Sequence, residues 1–102
     1  MWHDVCSPNE ISDGIGDEFT VAGRIVAVYR IGEEFHAMDG ICAHAGGPVG
    51  KGMLRGCVVT CPWHGWQFDV TTGQHCLTPQ IRQETFGCKV EGDQVWVELP
   101  DA

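Results

Sequence analysis

Two short segments carry the residue types that could do chemistry: Cys42-Ala43-His44 and Cys61-Pro62-Trp63-His64. Each offers a thiol, whose thiolate is a soft metal ligand, and an imidazole, which binds transition metals through a neutral ring nitrogen. Sixteen residues separate His44 from Cys61, enough for two loops to converge on one metal centre. With six cysteines and five histidines in the chain, about one shuffled sequence in twenty would hold C-x-H ahead of C-x-x-H, so the order of types is weak evidence by itself. The flanks strengthen it. Gly46-Gly47-Pro48 follows the first segment and Gly65 the second. Glycine lets the backbone turn tightly and approach a cofactor closely, and such loops present N–H groups to sulfur. A zinc site is the competing metal reading, although zinc fingers place two cysteines before two histidines and put the histidines on a helix. The reading without chemistry is two buried thiols and two surface imidazoles.

The elements that must position these residues are strands. A chain of 102 residues makes one domain, short enough that a metal or other staple helps hold it. Fourteen glycines fall between short apolar runs. Gly14-Ile15-Gly16-Asp17, Gly23, Gly32, Gly73 and Gly92-Asp93 read as turns. Between them, Glu18 to Val21, Arg24 to Ile31, Glu34 to Met38, Arg55 to Thr60, Gln67 to Val70, Glu84 to Val90 and Gln94 to Leu99 read as strands. Glu91-Gly92-Asp93 is a hairpin signal. No window sustains a 3.6-residue apolar period, so no helix is expected. The pattern predicts an all-β fold of antiparallel sheets, a sandwich or barrel.

Charge excludes some functions. The net charge of −8 argues against nucleic acid, whose phosphates need a basic face. No stretch approaches the roughly 20 apolar residues of a membrane span, and the acidic N-terminus lacks an export signal. A cytoplasmic protein is therefore expected, in which disulfides are disfavoured. The charge is uneven: −6 over residues 1–40, +1 over 41–79 and −3 over 80–102. Cys6, Cys57, Cys76 and Cys88 are expected to be free thiols packed as small apolar groups, Cys57 and Cys88 within strands. His3, His36 and His75 read as surface or edge residues. Trp66 reads as core cover. Trp63 reads equally as cover or as an apolar docking rim.

The runs CAHAGGPVG (residues 42–50) and CPWHGWQFDVTTG (residues 61–73) resemble the Rieske [2Fe-2S] family, with the spacing C-x-H-x16-C-x-x-H. The likeness covers residues 37–80 in motif detail. It implies a Rieske domain fold: a base from residues 1–40 and 80–102, and an inserted cluster-binding subdomain over about 41–79. It implies one [2Fe-2S] cluster per chain, with Cys42 and Cys61 on one iron and His44 and His64 on the other. Thr78-Pro79 sits where the family places a proline loop over the cluster. Two thiolates cancel the charge of the oxidised core and neutral imidazoles add none, so an electron enters a neutral site. Four thiolates would leave an anionic site that is harder to reduce.

High-potential family members carry an extra cysteine in each cluster loop, paired as a disulfide, where this chain has Gly47 and Trp63. They also carry a serine that bonds a sulfide, where this chain has Trp66. The resemblance therefore implies a potential near or below about −100 mV, within a family window of about −150 to +300 mV. It further implies an electron carrier, not an enzyme by itself, expected as a monomer with redox proteins as partners. The leading expectation is a soluble ferredoxin relaying electrons from a flavin reductase to a terminal oxygenase. The alternatives are the small subunit of an assimilatory nitrite reductase-like complex, and a redox-sensing cluster protein.

Overall fold

The computed structural model describes residues 1–42, 46–63 and 65–100. Among the described residues nine strands form two antiparallel sheets. They are β1 (Trp2–Cys6), β2 (Gly16–Val21), β3 (Arg24–Ile31), β4 (Glu34–Asp39), β5 (Met53–Arg55), β6 (Val58–Thr60), β7 (Gln67–Asp69), β8 (Thr85–Glu91) and β9 (Gln94–Glu98). The larger sheet has the order β1-β9-β8-β4-β3-β2, and the smaller β5-β6-β7. Among the described residues the only helical pieces are two 3-10 turns, Pro8–Glu10 and Val49–Lys51. None of the described helices is long and apolar enough to cross a membrane.

Two-residue turns set the register. Val21 pairs with Arg24, Ile31 with Glu34, Arg55 with Val58 and Glu91 with Gln94. Such tight turns match the right-handed twist of strands when their central residues take positive φ. Ala22 (51°) and Gly23 (80°) both do so. The Arg55 to Thr60 run is not one strand. It reverses at Gly56, whose φ is +59°, into the β5–β6 hairpin, so Cys57 lies in a turn. A lone glycine between apolar residues does not reveal whether the chain bends or runs on. Strand β1 was not expected. Its Trp2 and Asp4 lie on the exposed side, and it pairs with β9 through an irregularity between Asp4 and Cys6.

Strand β3 explains how the two sheets share a wall. Val26 and Val28 enter one core with Ile11, Ala37, Val95 and Val97. Ala27 and Tyr29 enter a second core with Met38, Val49, Val59, Phe68 and Val70. Successive side chains of a strand point to opposite faces, and β3 is buried on both. That is why its sequence reads as an almost unbroken apolar run rather than an alternation. The second core also holds Cys42 and Cys61.

Candidate metal centre

Cys42 follows the end of β4 by way of Gly40 and Ile41, and Cys61 directly follows β6. Each opens a tight loop closed on its own backbone. The Cys42 N–H donates to the Gly47 carbonyl at 2.8 Å, and the Gly46 N–H returns to the Cys42 carbonyl at 3.0 Å. In the second loop the Cys61 N–H donates to the Trp66 carbonyl at 2.7 Å. Gly46 and Gly65 take φ of +75° and +72°, which an L-residue rarely adopts, and so allow both reversals.

The two loops bring the sulfurs together. Cys42 is 2 % exposed and Cys61 1 %. Neither is in a disulfide, and the Cys42 side chain stands near enough to Cys61 to act on its thiol. Burial pushes the Cys61 thiol up, the Trp63 backbone N–H donating to its sulfur pulls it down, and Cys42 raises it again. Two buried thiols side by side and not joined as a disulfide are available as a pair of thiolate ligands, whose like charges would repel without a cation between them. A cation that took both as thiolates would remove the mutual repulsion, and the Trp63 N–H already supplies a donor to one sulfur. The donor set fits an iron held by paired cysteines. His44 and His64 lie outside the described residues, and among the described residues no cluster of three or more metal-ligating side chains occurs.

The walls of the site come from several elements. Tyr29, fully buried on β3, donates its hydroxyl to the Val49 carbonyl at 2.9 Å. Burial, then the neighbouring Cys61 and Cys42, push its ionisation far above the usual phenol range, so it stays neutral. Lys51 pairs with Asp17 and ties the Val49–Lys51 turn to β2. Leu77 and Thr78 face Gly65 and Trp66 across a cleft of about 350 Å³, which puts the segment containing Thr78-Pro79 beside the second loop. Trp63 and Ile41 are exposed, while Trp66 packs on the second core.

His75 and Cys76 behave differently from their sequence reading, and Gln83 is a residue the sequence reading did not single out. His75 is not at the surface but buried. Its Nδ1 accepts the N–H groups of Leu77 and Thr78 at 3.1 and 3.0 Å, and its ring lies edge-on to Trp66 and Phe68. Gln83, in the mostly polar stretch Gln80 to Thr85, is also buried. Neither carries a sequence signal, because backbone groups satisfy both, two and three residues on for His75 and more than 40 residues back for Gln83, and so each looks like a loop residue. Cys76, expected as packed, is exposed.

Comparison with known proteins gives a family and close relatives. A family profile described as the Rieske [2Fe-2S] domain matches residues 1–96. The ferredoxin component of the naphthalene 1,2-dioxygenase system of Pseudomonas aeruginosa is 33 % identical over 99 residues, covering 96 % of this chain and 95 % of the relative. The ferredoxin component of the alkene monooxygenase system of Xanthobacter autotrophicus is 36 % identical over 95 residues, covering 92 % and 78 %. Among solved structures, a chain in the complex of reduced oxygenase and oxidized ferredoxin in carbazole 1,9a-dioxygenase superposes with a TM-score of 0.86 at 32 % identity, covering 94 % of this chain and 91 % of that one.

Proposed function

This chain belongs to the Rieske [2Fe-2S] family, and from that membership we propose that Cys42 and Cys61 bind one iron of its cluster and His44 and His64 the other. The protein binds one [2Fe-2S] cluster and is an electron carrier, not an enzyme on its own. It passes its electron to a terminal oxygenase, as the ferredoxin components of oxygenase systems do. A flavin reductase is the donor and the cytoplasm the compartment in this reading. The relatives named as oxygenase ferredoxins favour it over a nitrite reductase small subunit.

One observation supports the ligand assignment above all: the buried, unbridged pair Cys42 and Cys61, brought side by side where two glycine-turned loops meet. The bound cluster supplies a reversible one-electron step. The chain's residues do the rest. The second core keeps water from the cysteine side. The Trp63 N–H stabilises charge on the Cys61 sulfur. Tyr29 and Lys51 fasten the first loop to β3 and β2, so little structure need move when charge changes. Exposed Trp63 and Ile41 present an apolar rim at an almost uncharged tip, while the acidic base lies behind it. Such a tip can approach a partner without strong repulsion, through a small, transient contact.

Electron paramagnetic resonance of the dithionite-reduced protein tests this. The expected result is a rhombic signal whose mean g lies below that of an all-thiolate cluster. Its loss is expected in Cys42→Ser, Cys61→Ser, His44→Ala and His64→Ala. A signal that survives any of these four changes unaltered removes that residue from the ligand set.

A further inference from the structure

Among the described residues two polar side chains are buried, His75 at 8 % and Gln83 at 4 % exposure. Both lie on the segment that leads from the second loop back to β8. Burying an amide is unfavourable unless its hydrogen-bonding groups are satisfied. Gln83 satisfies its donor end on the approach to the first loop. Its Nε2 donates to the Asp39 carbonyl at 2.9 Å and to the Ile41 carbonyl at 2.8 Å.

Those two carbonyls belong to peptide planes that are also held from the other edge. The Ile41 carbonyl shares a peptide with the Cys42 N–H, which donates to Gly47 at 2.8 Å. The Asp39 carbonyl shares a peptide with the Gly40 N–H, which donates to Ile25 at 3.0 Å. Each plane is thus gripped on its oxygen by Gln83 and on its nitrogen by a different strand or loop. A peptide plane fixed on both edges cannot swing about its flanking bonds, and the Ile41–Cys42 plane sets where the Cys42 Cβ and sulfur point. Gln83 is itself anchored. Its N–H donates to the Gly73 carbonyl at 2.7 Å, and a Cβ on Gly73 would stand 2.2 Å from the Gln83 carbonyl, so the two backbones are in direct contact.

We propose that Gln83 is a positioning residue for Cys42, a strut from the return segment that orients the sulfur on the first cluster loop. The proposal rests on the reading of Cys42 as a ligand. It assigns a role in shaping the cluster's environment to a residue that lies 22 positions beyond Cys61 and in neither motif.

The test compares Gln83→Met, which keeps length and volume but loses both bonds, with Val97→Ala, which opens a void in the other core. Each is purified with its cluster and read by thermal midpoint, by the g-values of the reduced state and by the rate of iron loss to a chelator. Both variants are expected to melt lower. Only Gln83→Met is expected to shift the g-values and to release iron faster, by about tenfold for two lost bonds. If Gln83→Met keeps wild-type g-values and loses iron no faster than Val97→Ala, the proposal is overturned. Gln83→Asn, whose amide sits on a shorter stem, gives the same readings should Gln83→Met not fold. Failure of both variants to fold would place the residue's role in the fold and also overturn the proposal. Absence of the signal from the wild-type protein would instead strike the cluster reading itself.

Discussion

Gly47 packs closely against Trp63: a Cβ built on it would stand 2.9 Å from Trp63 Cγ and equally 2.9 Å from Cys61 Sγ. The two cluster loops therefore touch at a point where no side chain fits. Gly47→Ala must push Trp63 and Cys61 aside, an overpacking that costs about 1–3 kcal/mol. The expected outcome is a folded protein with markedly less iron and labile sulfide per chain after anaerobic reconstitution. Full cluster content would show that the second loop yields without cost.

The same contact bears on the potential. With Gly47 and Trp63 in contact, no disulfide links the loops. Trp66, set against His75, brings no hydroxyl to a sulfide. Fewer hydrogen bonds to sulfur stabilise the reduced state less, so protein-film voltammetry should give a potential near or below about −100 mV. An electron-rich site also makes imidazole ligands weakly acidic, so the potential should be flat with pH near neutrality. A value above zero, or a slope of about 59 mV per pH unit, contradicts this.

The Lys51–Asp17 pair gives a pH signature. The hydrogen bond from Lys51 holds the Asp17 carboxyl below its ordinary 3.8. The Asp17 carboxylate in turn holds the Lys51 ammonium above its ordinary 10.5. The Asp17 contribution is present above the ordinary carboxylate value and is lost as pH falls through the lower folded value. The Lys51 contribution is present below the ordinary amine value and is lost as pH rises through the higher folded value. Both side chains are largely exposed, so the effect is small and screened by salt. In Asp17→Asn, thermal melts should show a slightly lower midpoint at neutral pH and low salt, with the difference shrinking as pH falls below the ordinary carboxylate value and at high salt. A constant difference across pH would assign the effect to packing.

The cysteines outside the cluster loops should separate by reactivity. Burial, then the nearby acids Glu10, Asp4 and Asp17, push the Cys6 thiol up to about 11. Burial, then Cys6, pushes Cys88 up to about 12. At pH 8 about one Cys6 in a thousand, and fewer Cys88, are thiolate. Iodoacetamide mapping of the native protein should label exposed Cys76 first and spare both. Early labelling of Cys6 would mean that β1 opens readily.

The strands around β3 and the β8–β9 hairpin were legible because their signals are local. A two-face apolar run and a Gly-Asp turn mean the same thing in any protein. The Cys-x-His and Cys-x-x-His segments were legible because ligand chemistry restricts residue type and loop geometry restricts spacing. The sequence alone thus determined the all-β class and named Cys42, His44, Cys61 and His64 as candidates, of which the structure describes the two cysteines. What tertiary structure decided is non-local. Gln83 is a polar side chain whose partners are the backbone carbonyls of Asp39 and Ile41, and backbone groups leave no trace in residue identity. The contact between Gly47 and Trp63 and the meeting of Cys42 with Cys61 depend on the β5-β6-β7 sheet packing on the Ala27 and Tyr29 side of β3. A hydrogen bond between distant segments constrains position rather than composition, so it becomes visible only when the chain is folded.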